Sequence, residues 1–286
     1  MSSYISTNKL HNSRILLIGG TSGIGFGVAR ASLEHGASII VSSSNPERVA
    51  NAVSELKSLY PEEPYVSRIV GKVCDLGKDD DSIEAEVVGL FEFATERGLF
   101  GEEAEGEGKV PINHIVFTAG TIPKTLPPTD PGVSASYLRS LHTIRYIGGA
   151  LVAKHAPTYM PKPSPNTPSS SITYTSGGLL VRPTPGLSLG LVGAAIVEGL
   201  ARTLAVDLAP FGIRVNAVSL GPVRTAIFDA FGSKDVVEGI LETYAEQTVL
   251  GRVGAPEDTA ETYLGLMKDG NITGALVRTD GGFTLK

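Results

Sequence analysis

Tryptophan is absent from these 286 residues and cysteine occurs once, at Cys74. A lone cysteine excludes an internal disulfide framework and fits a reducing compartment. Cys74 ends an apolar stretch, so it reads as a buried, inert thiol rather than a nucleophile. The single cysteine and five histidines fall at no metal-ligand spacing, and no metal centre is expected. Positive charge is also scarce. With 24 Lys and Arg against 30 Asp and Glu, the net charge is −6. That balance gives no electrostatic footprint for nucleic acid or an anionic membrane. No charge-free run approaches membrane-spanning length, and residues 1–12 lack the apolar core of a secretory leader. A cytoplasmic protein is expected.

What the chain has in quantity is apolar residues, 42%, and 34 glycines. They come together at Ile15-Leu16-Leu17-Ile18-Gly19-Gly20-Thr21-Ser22-Gly23-Ile24-Gly25. Four successive apolar residues read as a strand buried on both faces. The glycine turn and the helix pattern that follow are the layout of a dinucleotide phosphate site. Glycines let backbone approach the pyrophosphate, and a helix start offers it unpaired N–H groups and the positive dipole end. Gly19, Thr21, Ser22, Gly23, Ile24 and Gly25 are therefore candidate cofactor contacts.

Strand and helix patterns alternate along the rest of the chain. Further strands are expected at residues 37–41, 66–73, 114–117, 171–175, 213–218 and 275–278. Helices are expected to about residue 35 and at 46–59, 79–97, 136–156, 189–208, 235–247 and from 256. Residues 101–109 read as an exposed acidic insertion, and 121–133 and 157–168 as proline-rich loops. This alternation implies an α/β chain, a single-domain Rossmann fold over 1–286 with a doubly wound, seven-stranded parallel sheet.

An NAD site usually carries an acid at the end of the second strand to hold the ribose 2′-hydroxyl. Here that place holds Ser42, Ser43, Ser44 and Asn45, with Arg48 close behind. Hydroxyls and a guanidinium suit a 2′-phosphate and point to NADP(H). The same residues also fit a plain turn and helix start before Pro46.

Taken in order, the motifs resemble those of the short-chain dehydrogenase/reductase family over roughly residues 12–284. Gly19 to Gly25 is similar to the family's TGxxxGIG loop, with Gly19 in place of Thr. Asp75, followed by Leu76, stands where the family's acid faces the adenine. Ala119-Gly120 keeps the end of its NNAG stretch. Ile213 to Thr225 is similar to its IRVNxVxPGxxxT run, which implies cofactor contacts at Pro222, Val223 and Thr225. Gly251 to Asp258 and Thr279 to Gly282 resemble its closing motifs. The resemblance also implies a homodimer or homotetramer, packed through the Gly/Ala-rich helix at 189–208.

The family's catalytic Ser has a counterpart in Ser176, but its Tyr and Lys do not. Counting forward from Ser176 puts them at Leu189 and Gly193; counting back from Glu198 puts them at Gly190 and Ala194. The family's helix Asn falls at Arg145. This combination resembles a divergent fungal branch that includes reductase/Diels–Alderases of prenylated indole alkaloid pathways, which also lack the Tyr–Lys pair. That branch's reductases use an acid and a Trp in the loop after the fifth strand. Here Arg182-Pro183-Thr184-Pro185-Gly186-Leu187 supplies neither.

Carbonyl reduction builds negative charge on oxygen, which a phenol ordinarily relieves with a proton. An iminium or a conjugated acceptor needs less help, and Arg145 with Ser176 can stabilise charge electrostatically. Arg145 also fits a salt-bridge or stacking role, and Ser176 a capped strand end. Tyr174, His142 and Tyr146 are weaker candidates. The expected activity is NADP(H)-dependent reduction of an apolar small molecule in secondary metabolism. A non-redox cyclisation or isomerisation on the same fold, or a silent NADP(H)-binding protein, are the rival readings.

Overall fold

Seven short strands, five of them almost wholly buried, pair edge to edge in a computed structural model that describes residues 9–101, 108–121, 126–164 and 170–286. They form one parallel sheet: β1 (Arg14–Ile18), β2 (Ser38–Ser43), β3 (Ile69–Val73), β4 (His114–Phe117), β5 (Ser170–Gly177), β6 (Ile213–Leu220) and β7 (Leu276–Thr279). Their spatial order is β3-β2-β1-β4-β5-β6-β7. The winding reverses between β1 and β4, where Leu17 lies level with Val116. Such a reversal opens a crevice at the carboxyl ends of the strands.

Side-chain alternation divides β1 between two layers. Ile15 and Leu17 face a cluster with Val28 and Leu33 of α1 (Gly23–Glu34), Leu56 of α2 (Pro46–Leu59) and Tyr263 of α8 (Pro256–Lys268). Leu16 and Ile18 face the other layer. It contains Phe91 of α3 (Ile83–Ala94), Val152 of α5 (Gly149–Tyr159) and Val197 of α6 (Val192–Asp207). These strand side chains are fully buried, each worth about 1.5–3 kcal/mol of transfer energy. Gly27 lets α1 and α8 approach closely: a Cβ there would lie 2.8 Å from that of Pro256.

Two buried arginines secure the far end of the sheet. Arg14 Nη1 donates to the carbonyls of Ala94 (3.0 Å) and Glu96 (2.9 Å) at the end of α3. Arg214 Nη1 donates to Leu266 (2.8 Å) at the end of α8. Each guanidinium meets carbonyls that a helix C-terminus leaves without intrahelical partners.

The expected doubly wound sheet is present, with several boundary corrections. β3 begins at Ile69 because Val66–Arg68 is a 3₁₀ turn. α3 begins at Ile83, since Asp79 Oδ1 is engaged by the Ser82 amide at 3.0 Å in a preceding turn. The helix expected over 136–156 is three pieces: α4 (Ala135–His142), a π-helical turn (Thr143–Gly148) and α5. The core of the acidic insertion (102–107) and parts of both proline-rich loops (122–125, 165–168) lie outside the described residues. Among the described residues, no helix is long and apolar enough to cross a membrane, and no cluster of His, Cys, Asp and Glu suits a metal ion.

Candidate active site

A cleft of about 810 Å³ runs along the carboxyl ends of the strands, from α2 at one end to α7 (Lys234–Glu246) at the other. Its floor is the turn from β1 into α1. Gly19 has φ +91°, and a Cβ there would stand 2.6 Å from the Ala119 nitrogen and 2.7 Å from Thr118 Oγ1. A Cβ on Gly25 would drive into the Gly19 carbonyl oxygen. Both positions therefore require glycine. Ser22 precedes α1 without capping it through its side chain, and the first turn carries no acid. The opening amides of α1 are left to a ligand on the side where Gly23, Ile24 and Gly25 line the cleft.

At the outer end, Ser43, Ser44 and Arg48 line the cleft, as the sequence suggests. Asn45 does not. Its Oδ1 accepts from the Arg48 amide at 3.0 Å and caps α2, so the plain helix-start reading holds for that residue. Asn51 and Glu55 also line this end and were missed. With Arg48 they fall on one face of α2, a spacing that was open to inspection. Asp75 and Leu76 line the middle; Asp75 Oδ1 accepts from the Gly77 amide at 2.9 Å. Cys74 is there too, its thiol pushed up to about 12 by burial, consistent with an inert thiol.

At the inner end the π turn brings Arg145 into the wall. Its Nη1 donates to the Thr175 carbonyl at 2.8 Å. A Cβ on Gly120 would lie 2.7 Å from its Nε and Nη2, and one on Gly193 2.9 Å from its Cδ. The guanidinium thus passes between two glycines, one of them a position where the lysine is sought. Burial lowers its pKa, yet a guanidinium stays charged, and no carboxylate among the described residues pairs with it. The salt-bridge alternative for Arg145 finds no support.

Ser176 lies beside it at the end of β5, 5% exposed and lining the cleft. Its Oγ donates to Glu198 Oε1 of α6 at 2.6 Å, with the Ala194 carbonyl at 3.3 Å. Glu198 was not foreseen. The partners are 22 residues apart, and their meeting depends on the path of the intervening loop. Tyr174 points to the same face but is sealed in the core, donating to the Gly149 carbonyl at 2.8 Å, and burial raises its pKa. His142 and Tyr146 do not line the cleft.

Ala119, Gly120, Pro222, Val223 and Thr225 line the cleft between these ends. Thr225 packs against Gly23, where a Cβ would meet its Cγ2 at 3.0 Å. Beyond them, Ile227, Phe228, Tyr244 and Phe283 form an apolar rim. Tyr244 is the only phenol among the described lining residues, and no lysine is among them. The closing motifs are scaffolding. Asp258 accepts from the Ala255 amide at 2.9 Å, and Asp280 from the Gly282 amide at 2.9 Å.

The donor set fits a nicotinamide dinucleotide. The glycine floor leaves space that side chains would fill, the α1 amides face it, and Ser43, Ser44 and Arg48 offer hydroxyls and positive charge at the far end.

A sequence profile described as an SDR-like Rossmann domain matches residues 6–286. The chain is 38% identical over 282 residues to the short-chain dehydrogenase/reductase malC of Malbranchea aurantiaca, covering 98% of both chains. It is 36% identical over 279 residues to the short-chain dehydrogenase/reductase ucsE of Acremonium sp, covering 97% of both. Among solved structures it superposes on the MalC reductase/Diels-Alderase of Malbranchea aurantiaca with a TM-score of 0.85, at 36% identity, covering 99% of this chain and 100% of that one.

Proposed function

Given that the chain belongs to the short-chain dehydrogenase/reductase family, we propose that it is an NADP(H)-dependent reductase of an apolar imine, iminium or conjugated carbonyl in secondary metabolism. One observation carries this reading. The same cleft holds a complete glycine-and-amide floor and a charged Arg145 free of carboxylate partners, and no lysine lines it among the described residues.

A bound nicotinamide dinucleotide would supply the hydride. The protein's part is to orient and stabilise. Gly19, Gly25 and the α1 amides seat phosphate, and Arg48 with Ser43 and Ser44 favours the 2′-phosphate over a bare hydroxyl. Arg145, held at Thr175 and between Gly120 and Gly193, keeps a fixed positive charge where negative charge develops on a conjugated acceptor. The rim of Ile227, Phe228, Tyr244 and Phe283 excludes water and receives an apolar body. A homodimer or homotetramer belongs to the same proposal: α6 exposes Val206 at 73% and Val192 at 37%.

The test is NADPH deuterated at the transferable position, incubated with cyclic imines and conjugated ketones. Deuterium in the product supports reduction. A product formed without deuterium, the cofactor unchanged, favours the second reading, a non-redox cyclisation. That reading draws on the description of MalC as a reductase/Diels-Alderase. Binding of NADPH with no product from any such substrate favours a silent nucleotide-binding protein.

A further inference from the structure

Ser176 is the one residue of the family's usual acid–base set that remains, and the oxygens around it limit where its proton can go. Among the described residues, two oxygens lie within reach of its Oγ: the Glu198 carboxylate at 2.6 Å and the Ala194 carbonyl at 3.3 Å. Both are acceptors, and both belong to α6. A hydroxyl has one proton to give. Whichever oxygen takes it, the proton points into α6 and away from the cleft, and lone pairs are what Oγ can present to a ligand. The Glu198 contact is the shorter, in the range of charge-assisted O–H···O⁻ bonds. Glu198 is half-buried, and its carboxylate meets Ser176 as its one hydrogen-bond partner among the described residues.

Arg145 is the complement. A guanidinium has five N–H donors and no acceptor. Among the described residues one donor is engaged, Nη1 to the Thr175 carbonyl, on the residue immediately before Ser176. The inner wall therefore places a donor group and an acceptor group on either side of one peptide of β5.

We infer that Glu198 is a positioning residue that holds the Ser176 proton, so that Ser176 meets substrate as a hydrogen-bond acceptor and Arg145 is the donor of the pair. The inference rests on the reductase reading for its consequence: the group seated against Ser176 carries an N–H, as a protonated imine does, and is not a carbonyl oxygen. No proton is transferred to substrate through Ser176. Glu198→Gln weakens the hold, because an amide can equally donate N–H to Oγ, and only the Ala194 carbonyl at 3.3 Å is then left to keep the hydroxyl proton from turning toward the cleft.

Two measurements test this. Neutron diffraction on deuterium-exchanged crystals of the full chain reads the proton directly, whatever the activity. Density on the line from Ser176 Oγ to Glu198 is expected. Density directed into the cleft overturns the inference. The second compares kcat/KM of the NADPH-loaded protein for 1-pyrroline and for cyclohexenone, with NADPH affinity measured alongside. Glu198→Gln is expected to lower the imine value about tenfold, which is about 1.4 kcal/mol, while leaving the enone value and NADPH affinity near wild type. Ser176→Ala is expected to lower the imine value by the same factor, and the double variant to lose no more of it than either single one, because the two residues act as one unit. Equal loss on both probes, or losses that add, overturns the selective role. Failure to oxidise NADPH with either probe counts against the reductase reading and against the imine selectivity built on it, while the neutron map still decides the proton's position.

Discussion

The two ends of the cleft are made differently. The nucleotide end is largely backbone: Gly19 and Gly25, which tolerate no Cβ, and the opening amides of α1. The inner end is side chains: Arg145 threaded between Gly120 and Gly193, and Ser176 tied to Glu198. Backbone recognition constrains sequence tightly, since only glycine fits. Side-chain chemistry can change hands, because a guanidinium from a helix turn can fill space beside a position where an ammonium is sought. A chain can therefore keep its nucleotide floor while replacing the groups that act beside it.

Arg145 is where the two ends separate most visibly. Arg145→Ala is expected to lower kcat for a conjugated ketone by about a hundredfold to a thousandfold, the usual loss for one electrostatic donor, with NADPH affinity unchanged by fluorescence titration. If affinity falls with kcat, the two ends are not separable. Gly25→Ala is the counterpart at the floor. It is expected to cost about 1–3 kcal/mol of stability by thermal melting and to weaken NADPH binding at least tenfold, because the Gly19 carbonyl must move.

How far each end is legible follows from the same distinction. The glycine turn announces itself in a run of eleven residues, Ile15 to Gly25, and the alternation of strands and helices carries the sheet. The π turn at Thr143–Gly148 does not announce itself. Six residues are too few to tell a π period from an α period, so Arg145 is readable as a helical residue but its direction is not. The Ser176–Glu198 bond depends on how residues 178–191 return to α6, which no local pattern fixes. Asn45 shows the opposite failure, since one residue type suits a phosphate contact and a helix cap equally, and the structure assigns the cap.

Two smaller effects sharpen the contrast within the nucleotide end. Arg48→Ala is expected to weaken NADPH binding about tenfold and leave NADH binding unchanged; Arg48 is exposed, so its charge is partly screened. Equal losses for both coenzymes would remove Arg48 from 2′-phosphate recognition. Asn45→Ala is expected to lower stability by about 1 kcal/mol through the lost α2 cap, with both coenzyme affinities intact.

Under the proposed function, reduction proceeds here without a phenol giving its proton. Tyr244 is the only tyrosine among the described residues that line the cleft, so Tyr244→Phe tests the claim most directly by single-turnover NADPH oxidation with a cyclic imine. A rate within about threefold of wild type is expected, well short of the hundredfold or more that loss of a general acid brings. A fall of a hundredfold, with NADPH still bound, would contradict it.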